Sequence, residues 1–89
     1  MIEALDALAA AGVKLSRGVV DQRDSGDPDG ALMDAIALAD EQQVVLSADV
    51  VRRVRSAFEQ LGFNPRTNLG TLVGAALKRI EQRSAGSAA

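Results

Sequence analysis

The 89-residue sequence predicts an all-α fold, a small antiparallel bundle of five or six helices, and three observations carry that reading. Its apolar mass is Ala, Val and Leu, with aromatics at 2% (Phe58 and Phe63), and small aliphatic side chains suit the narrow space between close helices. Residues 1–21 align without gaps to residues 32–52, and each copy reads helix, short turn, helix. Near the end of the chain, Leu69, Leu72, Val73, Ala76, Leu77 and Ile80 recur at helical spacing. The architecture expected is therefore a duplicated helical hairpin followed by a C-terminal helix, within one domain.

The duplication pairs Ala4 with Ala35, Val13 with Val44, Leu15 with Leu46, Ser16 with Ser47, Val19 with Val50 and Val20 with Val51. Ile2/Met33, Glu3/Asp34 and Leu5/Ile36 add like-for-like positions. In "VKLSRGVV" and "VVLSADVV" the serine is placed to cap a helix, its hydroxyl accepting from an otherwise unpaired N–H of the first turn. Such a cap is worth about 1 kcal/mol. Leu15 and Leu46 precede the caps and Val20 and Val51 follow at the spacing of a hydrophobic staple.

These signals predict helices over 2–11, 17–24, 30–42, 48–61 and 68–83. In the first, Ile2, Leu5, Leu8 and Ala9 face inward, and in the third, Leu32, Ala35, Ile36 and Ala39 do. The "DSGDPDG" segment at 24–30 is a loop, with Asp27 or Asp29 capping the third helix. The fourth helix sets Val50, Val54, Ala57, Phe58 and Leu61 opposite Arg52, Arg53, Arg55 and Glu59. Asn68 or Thr67 caps the fifth, whose Leu69, Leu72, Val73, Ala76, Leu77 and Ile80 face inward, and Pro65 belongs to the loop before it. Residues 1–83 are read as the domain and 84–89, "SAGSAA", as a frayed tail or the start of a linker.

Composition bounds the function. The chain has no His, Cys, Trp or Tyr, which removes the residue most used for acid–base work at neutral pH and the most reactive nucleophile. No catalytic residue, cofactor or small-molecule substrate is expected. The absence of cysteine also removes disulfides and thiolate metal sites, so a cytoplasmic setting is the expectation. The N-terminus carries Glu3 and Asp6 without the cationic start of a signal peptide. No apolar run approaches the roughly 18 residues of a membrane span, and no membrane association is expected.

The net charge of −2 hides an uneven split. Residues 1–46 set Lys14, Arg17 and Arg23 against Glu3, Asp6, Asp21, Asp24, Asp27, Asp29, Asp34, Asp40 and Glu41, a net −6. Residues 47–89 set Arg52, Arg53, Arg55, Arg66, Lys78, Arg79 and Arg83 against Asp49, Glu59 and Glu81, a net +4. The two halves pair with one another inside the fold, present solvated faces, or form complementary surfaces for a partner or a second copy. The candidate acidic face is Asp21, Asp24, Asp27, Asp29 and Asp34, and the candidate basic face is Arg52, Arg53, Arg55, Arg66, Lys78 and Arg79. Gly70 and Gly74, four apart on the fifth helix, mark a place where another helix of this chain or of a partner comes close.

The segment "QQVVLSADVVRRVRSAFEQLGFNPRTNLGTLVGAALKRIEQ", within residues 42–83, resembles a ribbon-helix-helix DNA-binding unit. The resemblance rests on a short strand, a helix ending at Gly62 and a second helix of "LVxxAL" kind, and it implies a paired strand at 42–46 and a nucleic-acid partner. The segment departs from that pattern in the length of "FNPRT" and in Val45, which stands where such a strand offers bases a polar side chain. The duplication instead makes "VVLS" a turn between helices. Small bundles with acidic and basic faces serve as adaptors, the death-fold class among them, and a non-enzymatic protein–protein interaction or self-assembly module is the function expected.

The acidic loop also bears on metal. With Gly30 as the sixth position of a calcium loop, Ile36 falls where a bidentate Glu is required and Pro28 lies inside, so no metal ligand set is expected. Submillimolar calcium should therefore leave the melting temperature unchanged, as thermal denaturation monitored by circular dichroism would show; a clear rise would mean the loop binds it.

Overall fold

A computed structural model describes residues 2–61 and 68–87, which form helices α1 (Ile2–Ala10), α2 (Arg17–Asp24), α3 (Pro28–Glu41), α4 (Ala48–Gln60) and α5 (Asn68–Ser87). The described residues contain no strand. The all-α class and the bundle read from the sequence are thus the observed ones.

The duplication is visible at the level of single hydrogen bonds. Ser16 Oγ accepts from the Val19 N–H at 3.3 Å, and Ser47 Oγ accepts from the Val50 N–H at 3.3 Å. The two turns also end their preceding helices alike. The Val13 N–H reaches back to the Leu8 carbonyl and the Gly12 N–H to Ala9, while the Val44 N–H reaches Ala39 and the Gln43 N–H reaches Asp40. Each is a Schellman closure, which satisfies carbonyls that the end of a helix leaves unpaired and needs a left-handed residue just past that end. That residue is Gly12 at φ 102° in the first copy and Gln43 at φ 55° in the second. The two turns are clamped together: the Lys14 N–H donates to Gln42 Oε1 at 2.9 Å, and Gln42 Nε2 donates to the Lys14 carbonyl at 2.8 Å.

Packing follows the same repetition. α1 packs on α4, α2 packs on α3, and α1 packs on α3, so the first helix of each copy lies against the second helix of the other. α3 is the centre, touching α1, α2 and α5. Its Ala31, Leu32, Ala35, Ile36 and Ala39 are fully buried. Asp27 caps it, its Oδ1 accepting from the Gly30 N–H at 3.2 Å, and Pro28 opens it, where a missing N–H costs nothing. α3 consequently begins at Pro28, ahead of the expected residue 30.

Two inward assignments change. Ala9 is exposed, and Ala4 takes its place in the core beside Leu5 and Leu8. Leu72 is 67% exposed. The buried stripe of α5 is Gly70, Val73, Leu77, Ile80 and Ser84, flanked by Ala76, so two of its positions carry residues that hydropathy does not mark. That stripe also extends α5 through Ser87, past the expected end at Arg83. Ser84 is buried, and its Oγ accepts the Leu46 N–H at 3.0 Å, which anchors the segment read as a tail to the turn between α3 and α4. Val54 and Ala57 are buried as expected, with Val50, Phe58 and Leu61 packed at the margin of the core. Thr67 and Pro65, and the side chains of Ile2, Asn68 and Leu69, lie outside the described set.

The two left-handed positions give opposite expectations. Gly12→Ala forces a β-carbon into that conformation and should destabilise the fold by about 1 kcal/mol, whereas Gln43→Gly relieves the same strain and should stabilise it by up to about 1 kcal/mol. Urea denaturation of the two single variants beside the parent checks both signs.

Candidate functional site

Complementary charge inside the fold is concentrated on α5. Asp40, on the last turn of α3 with its side chain 15% exposed, accepts from Arg79 Nε at 2.9 Å and from Arg83 Nη2 at 3.2 Å. The guanidinium of Arg79, opposed by burial and joined by Arg83, holds the Asp40 carboxyl below the usual carboxylate range. Glu81 accepts from one edge of the Arg55 guanidinium, with Nε to Oε2 at 3.0 Å and Nη2 to Oε1, a two-pronged contact that fastens α4 to α5 and raises the Arg55 pKa. Arg23 of α2 reaches Asp6 of α1 at 3.3 Å.

These pairs redraw the basic face. Arg55 and Arg79, expected to serve a partner, are engaged within the chain. Arg52 and Arg53 point outward, 78% and 60% exposed, each held loosely to Asp49 of their own helix, at 3.7 and 3.0 Å. Lys78 is exposed. Arg66 lies outside the described residues. Beside Arg52 and Arg53 runs an open groove between α1 and α4, about 450 Å³ in volume, lined by Glu3, Ala4, Ser56, Ala57 and Gln60 together with the two arginines. A second, smaller cleft of about 230 Å³ is apolar and lies between the start of α4 and the end of α5, with Leu46, Val51, Ser84 and Ala85 among its walls.

The acidic face divides as well. Asp27 is spent on the cap of α3. Asp29 sits in the first turn of α3, where the helix dipole favours a carboxylate. Asp21 and Asp24 lie in the last turn of α2, where the dipole disfavours one. Asp24 meets Arg23 at 3.3 Å; Asp21, Asp29 and Asp34 are exposed and form no ion pair among the described residues. No ion pair joins these acids to Arg52 or Arg53 among the described residues. No group of three or more candidate metal ligands converges among the described residues.

Gly74 is half-buried, and a β-carbon there would meet Phe58 Cζ at 3.8 Å, an ordinary van der Waals distance. Its nearest neighbour is a side chain, so α5 approaches α4 no more closely there than an alanine would permit. Gly70 is buried on the α5 stripe.

The strand implied by the resemblance to ribbon-helix-helix proteins is absent. Residues 44–47 join two helices, and the Leu46 N–H, which a paired strand would offer to its neighbour, is given to Ser84. No described helix is long and apolar enough to cross a membrane. No protein-family model, curated protein or solved structure matches the chain.

Asp40, Glu81 and Ser84 were not singled out by sequence. Asp40 alone had a signal, an acidic residue in the last turn of a helix, where the dipole disfavours it without a cationic partner. Because its pKa is lower folded than unfolded, its contribution is complete above the unfolded value and is lost as pH falls through the folded one. Asp40→Asn should lower the melting temperature by several degrees at pH 7, and the gap to the parent should close below about pH 4 in a pH series of thermal melts.

Proposed function

We propose that this protein is a non-enzymatic interaction module, an adaptor or self-assembling unit of the cytoplasm, that recognises protein surfaces through separate basic and acidic faces. The observation that carries the reading is the placement of charge. Arg55, Arg79 and Arg83 meet carboxylates across helix boundaries, whereas Arg52 and Arg53 stand exposed beside an open groove. Exposed pairs within one helix add only a few tenths of a kcal/mol, so stability gives little reason for Arg52 and Arg53 to be there. Their natural use is choice of partner and rate of encounter, which complementary charge controls more than raw affinity.

Glu3 shapes the partner's chemistry. A carboxylate on the wall of the groove repels a phosphate backbone, while Ser56 and Gln60 offer neutral hydrogen bonding beside the guanidinium groups. That mixture suits a protein surface carrying one or two carboxylates better than a nucleic acid. The overall acidity points the same way.

A photo-crosslinking residue in place of Ser56, in cells that make the protein naturally, tests this. The expected result is protein adducts that are lost when Arg52 and Arg53 are both changed to Glu, with circular dichroism of the purified variant unchanged. Adducts that survive the reversal, adducts destroyed by nuclease, or none at all would overturn it.

A further inference from the structure

Building on that reading, we propose that the occupant of the α1–α4 groove is a second copy of this chain, which inserts the acidic end of its α2, Asp21 and Asp24, against Arg52 and Arg53. The basic side has two adjacent guanidinium groups more than half exposed, at the edge of a groove about 450 Å³ in volume. The carboxylate that pairs with both among the described residues, Asp49, is itself 59% exposed and shared between them, at 3.7 and 3.0 Å. A partner carboxylate can therefore add to, or replace, that contact without breaking the core.

The acidic side is shaped to enter. α2 is only eight residues long and projects Asp21 and Asp24 beside Ser25 and Gly26, all four exposed, with Gly26 at φ 92° turning the chain sharply away. Its two acids stand at the helix end that the dipole makes negative, and only Arg23 offsets them there. Arg23 is divided between Asp6 and Asp24. A cationic groove from outside relieves this like-charge crowding, and among the described residues no cation besides Arg23 pairs with either acid.

The geometry is head to tail. α2 rests on α3 and α4 rests on α1, and among the described residues no ion pair joins the acidic end of α2 to Arg52 or Arg53 of the same molecule, so the contact is assigned between molecules. Groove and acidic end are different patches, which makes the contact heterologous: each copy that binds leaves one of each face open, and the assembly grows into a ring or a filament.

Neutralising one face at a time tests this in solution. Arg52→Gln/Arg53→Gln removes the groove's charge and Asp21→Asn/Asp24→Asn removes the acidic end, while Asp27, Asp40, Arg55 and Glu81 keep their structural contacts. For the parent, sedimentation and scattering should give a mass that rises above 9.3 kDa with concentration at about 0.05 M salt and returns to it at about 1 M. Each double variant should remain folded by circular dichroism and monomeric. An equimolar mixture of the two should form a dimer and stop there, since each supplies a single live face. A parent that is monomeric to about 1 mM at low salt overturns self-recognition and leaves the adaptor reading to the crosslinking experiment. Variants that associate like the parent, or a mixture that stays monomeric although the parent associates, show that these two faces do not meet, and overturn it equally.

Discussion

The fold depends on the burial of α3 on three sides at once. α1, α2 and α5 all lie against it, and Ala31, Ala35 and Ala39, spaced four apart, are fully buried. A ridge of methyl groups lets neighbouring helices pack closely, while Leu32 and Ile36 fill the spaces to either side. Aromatic residues are scarce, and the partly buried Phe58 packs at the margin of the core. Everything that faces outward is arranged around that central helix.

Charge is used in two ways. Where different helices meet, acids and bases are matched across the boundary, as at Asp40 with Arg79 and Arg83, at Arg55 with Glu81, and at Asp6 with Arg23. The uneven split between the halves is thus partly consumed by α5 returning over α3. What remains outward, Arg52 and Arg53 on one helix and Asp21 and Asp24 on another, forms no ion pair across that divide among the described residues. The topology favours this separation, since the first helix of each copy takes the second helix of the other as a principal neighbour.

Most of the architecture could be read before the structure, because it rests on local chemistry. Ser16 and Ser47 announce their helices through bonds spanning three residues, and the duplicated pattern tells one turn from the other. The same duplication would have revealed the matched helix ends, since Gly12 aligns with Gln43; a glutamine in the left-handed region gives no sign of it in composition. The rest was hidden where small or polar residues occupy core positions. Ser84 and Gly70 lie on the buried stripe of α5, so the apolar rhythm shifts toward Leu72 and stops at Ile80. The pairing of Arg55 with Glu81 and of Arg79 with Asp40 is tertiary, and no local pattern announces it.

Gly30 shows how such a contact can restrict a sequence. Unlike Gly12, it lies inside a helix, where its own backbone would accept any side chain. A β-carbon there would come within 2.5 Å of Asp27 Oδ2, the same carboxylate whose other oxygen caps the helix through the Gly30 N–H. An alanine at this position needs the Asp27 carboxylate, the free end of a flexible side chain, to turn aside, and the caps at Ser16 and Ser47 show that a side chain at the same position, Val19 or Val50, is compatible with a capped helix. The two positions are therefore coupled through the pose of one side chain. Glycine at 30 permits the pose that the aspartate at 27 now holds, while a side chain there would select another, so a substitution at one site is felt at the other.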